Sequence, residues 1–109
     1  MNYRRQAINT IGDISGFGIY AIHNTLNGYE YIGDTWKPFS VRWKQHLYKL
    51  ENGIHHCRLL QADWDTYGMN AFTFVVLECL DIPDRVFGRE RHWFAQSRGH
   101  LYNSIGPRQ

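Results

Sequence analysis

The chain is poor in cysteine: Cys57 and Cys79 are its only two in 109 residues, and neither belongs to a Cys-x-x-Cys pair. That excludes a disulfide framework and points to a reducing compartment, the cytoplasm. Long hydrophobic runs are also missing. None approaches the ~20 residues that a membrane helix needs, and the basic start at Arg4 and Arg5 is not followed by a signal-peptide core. A membrane is therefore not an expected partner. Charge of one sign is scarce too: the net charge of +2 is too small to argue for nucleic acid by itself. What remains is 43% hydrophobic and 16% aromatic, enough for one modest core and against a disordered chain. One domain over residues 1–109 is expected, with a core at 17–103 and an N-terminal extension at 1–16.

The most informative stretch is Gly18-Ile19-Tyr20 followed by Tyr31-Ile32-Gly33. The runs Phe17 to His23 and Tyr29 to Asp34 are apolar, aromatic and rich in β-branched isoleucine, and read as strands. Asn24-Thr25-Leu26-Asn27-Gly28 lies between them and ends in Asn-Gly, which tolerates positive φ at successive positions and signals a hairpin. Alternation then presents Tyr20 and Tyr31 from neighbouring strands. In the extension, Ile8, Ile11 and Ile14 recur at threes, as one helical turn on the core or a loose arm, while Gly12 and Gly16 argue against a long helix.

Charge is more telling in its distribution than in its sum. Trp36 to Lys49 holds Lys37, Arg42, Lys44 and Lys49 and no acid, and Arg85, Arg89, Arg91 and Arg98 form a second basic group. Acids gather at Asp63 to Asp65 and from Glu78 to Asp84, so a one-sided positive surface is expected. Pro38 and Ser40 start a helix that Gly53 stops. Trp43, Leu47, Leu50 and Ile54 form its buried stripe. Arg42, His46 and Lys49 share the adjacent one, either a solvated face or an anion-facing ridge in which Arg meets phosphate and His46 moves protons.

A second helix runs from Arg58 to about Tyr67 with Leu59, Leu60 and Trp64 inward, closed by Gly68, and a strand runs from Phe72 to Leu80. The latter is nearly continuous in apolar residues and therefore central or well covered. His46, His55, His56 and Cys57 have zinc-ligand chemistry, but adjacent residues rarely ligate one ion and no second pair stands at a familiar spacing. In the last helix Glu90 falls on the apolar stripe between Val86, Phe87, Trp93 and Phe94. A carboxylate there needs a partner: a nearby arginine, or a hard divalent cation such as Mg²⁺.

Taken in order, these motifs resemble the GIY-YIG nuclease superfamily. They are Gly18-Ile19-Tyr20, Tyr31-Ile32-Gly33, Arg42 with His46, Gly53-Ile54-His55, Glu90 with Trp93, and Leu101-Tyr102-Asn103. The resemblance covers about Phe17 to Asn103. It implies a small α/β (α+β) domain, a three-stranded antiparallel sheet flanked by helices. It also implies hydrolysis of a DNA phosphodiester, single- or double-stranded, with one divalent metal, Mg²⁺ or Mn²⁺. Carried over, Tyr20 and Tyr31 are the active-site tyrosines, Arg42 contacts phosphate and Glu90 ligates the metal. His46 and His55 match functional positions in different branches, His46 being preferred because it shares a stripe with Arg42, and Asn103 matches an asparagine that orders the site.

The chemistry follows: Tyr20 activates the water and Tyr31 positions it, Arg42 neutralises the phosphoryl oxygens, and Glu90 holds the ion. Ionising a tyrosine near neutrality costs about 4 kcal/mol, a burden that falls on Arg42 and the metal, or on His46 as proton acceptor. Lys37, Arg42, Lys44 and Lys49 are the expected nucleic-acid contacts. Two features depart from the relatives. Asp34 follows the second tripeptide, where small or hydroxyl residues are frequent, and either repels phosphate or adds an acid near the metal. His56 doubles His55. Homing and repair relatives carry a separate DNA-binding domain, for which these 109 residues have no room, so specificity would come from the domain surface, from a partner, or be low, unless the chain is a piece of a longer protein. Trp36 and Tyr48 are expected in core or rim packing, with stacking on unpaired bases as the alternative. A non-catalytic DNA-binding module of the same fold is the competing reading, although its usual sign would be loss of Tyr20, Arg42 or Glu90. A structural metal protein built on His55-His56-Cys57 would instead carry zinc.

Overall fold

The computed structural model describes residues 9–82, 86–97 and 100–103, without the side chains of 86 and 87. Ile8, Arg85 and Arg98 of the sequence reading lie outside that range. The elements are β1 (Thr10–Ile11), β2 (Phe17–Asn24), β3 (Glu30–Thr35), α1 (Phe39–Glu51), α2 (Arg58–Tyr67), a 3₁₀ turn (Met69–Ala71), β4 (Phe72–Leu80) and α3 (Val86–Gln96). They form one sheet in the order β1-β4-β2-β3, in which β2 runs antiparallel to both neighbours and β1 parallel to β4. The antiparallel core of three strands is thus joined by a fourth, two-residue edge strand. Of the isoleucines at threes that are described, Ile11 is exposed on that strand and Ile14 packs on the core.

Alternation along β2 divides the interior. Tyr20 and Ile22 point into a cluster with Phe39, Trp43, Leu47, Leu50, Leu60, Trp64, Phe72 and Phe74, which belongs to α1, α2 and β4. Ile19 and Ala21 point the other way, to Ile32, Leu101 and the α3 residues Trp93 and Phe94. The sheet is therefore a middle layer. β4 sits inside it, as its apolar run requires.

The hairpin loop is longer than a two-residue turn. The Asn24 N–H donates to Tyr29 O and the Gly28 N–H to Asn24 O. Gly28 alone of the Asn-Gly pair takes positive φ, at 81°. Helix α1 follows Pro38, and its first free N–H groups are satisfied by the preceding loop: Phe39 donates to Gly16 O and Ser40 to Ile14 O. It ends at Asn52 with Gly53 at φ 74°. Ile54, expected on the buried stripe, is 59% exposed because the helix has already ended, and Leu59 is likewise mostly outside the core. Among the described residues no helix is long and apolar enough to cross a membrane.

Candidate active site

The two tripeptides meet through strand register. Tyr20 stands opposite Gly33 and Tyr31 opposite Ile22, so both tyrosines rise from one face of β2 and β3. Both glycines are required by close approach. A Cβ at Gly33 would collide with the Tyr20 hydroxyl and ring, and one at Gly18, where φ is +144°, would strike the Glu78 carbonyl. Tyr20 is thereby laid flat across its neighbour strand, stacked on Phe74 at 4.9 Å between ring centroids.

From the layer above, α1 lowers Arg42 and His46 onto the Tyr20 hydroxyl. His46 Nε2 lies 2.6 Å from that oxygen, and Arg42 Nε–H donates to it at 3.2 Å. The histidine tautomers follow from the next bonds. The Cys57 backbone N–H donates to His55 Nδ1 at 3.0 Å, so that nitrogen is an acceptor. A neutral His55 then carries its proton on Nε2 and gives it to His46 Nδ1, 2.8 Å away. His46 in turn carries its proton on Nε2 and donates to Tyr20. The Tyr20 oxygen therefore receives two N–H groups, and its own proton points elsewhere.

Both histidines are held neutral. Burial first, then the Arg42 charge and the neighbouring imidazoles, press His46 down to about 2. Burial first, then His56, Lys49 and Arg42, press His55 down to about 3. Burial raises the Tyr20 hydroxyl above its ordinary range, with Arg42 opposing. Tyr31 is pushed up to about 12, again mainly by burial, and its hydroxyl lies 3.0 Å from His56 Nε2.

Glu90 comes from α3 on the opposite side of the sheet and meets β3 at Asp34. Burial, then the Asp34 charge and a hydrogen bond with its carboxyl, raise Glu90 to about 7. Arg89, its neighbour in sequence, is engaged elsewhere, its Nε–H donating to Glu78 at 2.8 Å. Two half-buried carboxyl groups sharing a proton are the donor chemistry of a hard divalent cation, which relieves the same repulsion. Among the described residues no group of three or more His, Cys, Asp or Glu side chains is placed to hold a metal ion. The rings of His46, His55 and His56 stack face to face along a row instead of converging.

Asn103 touches none of these groups. Its amide accepts the Ile32 N–H at 2.9 Å and donates to the Ile32 carbonyl at 2.8 Å, continuing along the outer edge of β3 the bridge that Leu101 makes with Glu30. Lys37, Lys44 and Lys49 stand around the mouth of the site and not in it. Lys44 and Lys49 line an outer groove along α1, while the Lys37 ammonium lies 5.7 Å from the Trp36 ring centroid. Trp36 and Tyr48 are 65% and 63% exposed, which leaves them outside the core.

The sequence reading did not single out Gln61, whose side chain accepts the His55 N–H and donates to Leu50 O, holding the histidine loop against α1. Its signal was a polar residue on the buried stripe beside Leu60 and Trp64. The Tyr31–His56 contact was also missed, and nothing in the spacing announces it.

Residues 16–103 match the GIY-YIG catalytic domain family. The chain is 40% identical over 82 residues to intron-associated endonuclease 1 of Enterobacteria phage T4, covering 72% of this chain and 32% of that protein. It is 30% identical over 73 residues to the probable intron-encoded endonuclease 1 of Neurospora crassa, covering 67% of this chain and 22% of that one. The chain thus spans a third or less of these relatives. Among solved structures it resembles the catalytic domain of homing endonuclease I-TevI, with 34% identity and a TM-score of 0.70 over 78% of this chain and 96% of that one. A point mutant of the same domain gives 34% identity and 0.73 over 84% and 96%.

Proposed function

The chain belongs to the GIY-YIG catalytic domain family, and from that premise we propose that it is a divalent-metal-dependent DNA endonuclease with Tyr20 as the base that activates water. The observation that carries this is the Tyr20 oxygen between Arg42 Nε and His46 Nε2. A phenolate needs donors, and two N–H groups already face the atom on which the charge would settle, one of them from a cation. Their work is to offset the roughly 4 kcal/mol that ionising a tyrosine costs near neutrality. Burial enlarges that cost.

In this reading His46 is a donor throughout and does not take the tyrosine proton. Its Nδ1 is occupied by His55, and its low basicity leaves no room for a second proton. The phenolate accepts a proton from the attacking water and returns to the hydroxyl state. The leaving 3′ oxygen takes a proton from solvent, and Tyr20 loses its own to solvent before the next turnover. Tyr31, on the same face, orients that water. Arg42 spends Nε–H on Tyr20 and Nη1–H on Gln45, and its remaining N–H groups take the non-bridging phosphoryl oxygens as their charge grows. Glu90 would hold the ion, Mg²⁺ or Mn²⁺, with Asp34 beside it. The ion, when bound, stabilises charge on a phosphoryl oxygen and on the leaving 3′ oxygen. Asn103 keeps β3 in register and so acts by positioning.

Cleavage of labelled DNA in Mg²⁺ or EDTA, with wild type and Glu90→Ala, tests the reading. Cutting that requires Mg²⁺ and disappears in Glu90→Ala supports it. A folded protein that binds DNA and cuts neither single nor double strands under Mg²⁺ or Mn²⁺ sinks it.

A further inference from the structure

We infer that the outer face of α1, from Trp36 at its head to Tyr48 along its length, is a binding track for an unpaired DNA strand. The active site would therefore receive single-stranded substrate. This rests on the nuclease reading and names the substrate that reading leaves open.

Two large aromatic side chains are spread on water in a chain that buries most of its others. Trp36 is 65% exposed and Tyr48 63%, while Trp43 and Trp64 are 5% and 7%. The fold gains little from leaving them there. The backbone that carries Trp36 is nevertheless fixed. The buried Thr35 hydroxyl accepts the Lys37 N–H at 3.0 Å and donates to the Lys37 carbonyl at 3.1 Å, so the turn that carries Trp36 is pinned at its base. Pro38 follows and fixes the next φ. An aromatic on a fixed turn has less freedom to lose, when something stacks on it, than one on a mobile loop.

Its setting indicates what stacks. Trp36 walls a cavity of about 180 Å³ together with Asp34, Lys37, Arg42 and Gln45. Arg42 is the same side chain that bonds the buried Tyr20 hydroxyl, so one residue links this cavity to the reacting groups. Gln45 also lines the neighbouring groove of about 500 Å³, whose other walls are Val41, Lys44, Tyr48 and Lys49. Positions 41, 44, 45 and 48 fall on one face of a helix, so cavity and groove are consecutive parts of one path. Lys37, Arg42, Lys44 and Lys49 are interspersed with the two aromatics along it, against the carboxylate of Asp34 at its head, and from Trp36 to Lys49 the chain has no acid. Backbone-tracking cations interleaved with stacking platforms are what an unpaired strand requires. A duplex keeps its base faces inside the stack and could meet Trp36 and Tyr48 only by being wedged apart.

The test uses the whole chain in EDTA, so that nothing is cut, with a dye-labelled single-stranded oligonucleotide and the blunt duplex of the same sequence. Anisotropy should show the single strand bound about tenfold or more tightly than the duplex. Trp36→Ala and Tyr48→Ala should each weaken single-strand binding about tenfold, leave duplex binding unchanged and leave thermal melting intact, and Trp36→Phe should keep most of the affinity. Single-strand binding should also quench tryptophan emission in wild type and fail to do so in Trp36→Ala. Equal affinity for both forms, or single-strand affinity within about twofold of wild type in both alanine variants, overturns the track. So does a shift from dimer to monomer in those variants without loss of DNA binding, which would make this face an interface between copies. Mg²⁺-dependent duplex cutting that ignores Trp36 and Tyr48 would keep the nuclease and remove the track. Trp36-dependent binding with no cutting under any divalent ion would do the reverse.

Discussion

The Tyr20 hydroxyl oxygen lies 2.6 Å from His46 Nε2 and accepts its proton, because His46 Nδ1 is already occupied by His55. The orientation is set two residues beyond His55, by the backbone N–H of Cys57. A main-chain donor cannot be turned round, so the direction of the whole row is built into the loop after α1.

That direction is measurable. In long-range proton–nitrogen NMR spectra of the free protein, His46 and His55 should both appear as neutral rings protonated on Nε2. A proton found on His46 Nδ1 would reverse the row and make His46 the acceptor from Tyr20. In kinetics, Tyr20→Phe should lower turnover by about a hundred- to ten-thousand-fold, the usual worth of a positioned base, with DNA affinity kept. Because burial raises the Tyr20 hydroxyl, the wild-type rate in Mg²⁺ should climb with pH from about 6.5 to 9.5, as the phenolate fraction grows. A flat profile over that range would argue against a phenolate base.

The same histidines make folding sensitive to acid. Their folded values lie well below the 6.5 of an ordinary imidazole, at about 2 for His46 and about 3 for His55. The unfolded chain therefore binds more protons. Stability is complete above about pH 6.5 and falls as the pH drops below it. Between pH 6.5 and pH 5, His46 alone should remove about 2 kcal/mol. Urea melts at about pH 7.5 and pH 5 would show it, and His46→Gln should lose about that much less on acidification. Identical losses in both proteins would mean that His46 is charged in the folded state.

Much of this site was legible as residues and little of it as contacts. The helical spacing of Arg42, His46 and Lys49 placed them on one stripe, which they share. It did not show that His46 is 1% exposed while Lys49 stays at the rim. That difference arises where Tyr20, 26 positions earlier in the chain, rises from β2 beneath the middle of the helix. Glu90 is the parallel case. Its place on an apolar stripe announced a partner, and only the sheet could show that the partner is Asp34, reached from the opposite layer. The edge strand β1 is too short for any periodicity to reveal. Its backbone pairing with β4 is what holds it.

Metal should act on stability as well as on rate. With Glu90 raised to about 7 by burial and by Asp34, the metal-free pair opposes folding above that pH and ceases to do so well below it, where Glu90 is neutral in both states. At about pH 8 in EDTA, Glu90→Gln should therefore melt higher than wild type, by about 1 kcal/mol once solvent screening of this half-exposed pair is allowed for. Millimolar Mg²⁺ should raise the wild-type melting temperature and leave Glu90→Gln where it was. Calorimetry in both conditions decides it. A wild type indifferent to Mg²⁺ and Mn²⁺ would remove Glu90 as the ligand.

Gly33 ties the second tripeptide to the first by steric need, and a double-mutant cycle can isolate that need. A Cβ at Gly33 would run into the Tyr20 ring and hydroxyl. Gly33→Ala should therefore push the tyrosine off Arg42 and His46, abolish cutting and cost about 1–3 kcal/mol of stability, the usual range for overpacking. Removing the ring first should remove the clash. In a Tyr20→Ala background the added methyl should cost little or fill part of the space left behind, giving a coupling energy of roughly the whole single-mutant penalty. If the two losses simply add, the glycine serves the strand and not the tyrosine. Gly33 φ lies outside the positive range that only glycine favours, so backbone strain offers no competing account, and the result bears on the Tyr20 contact alone.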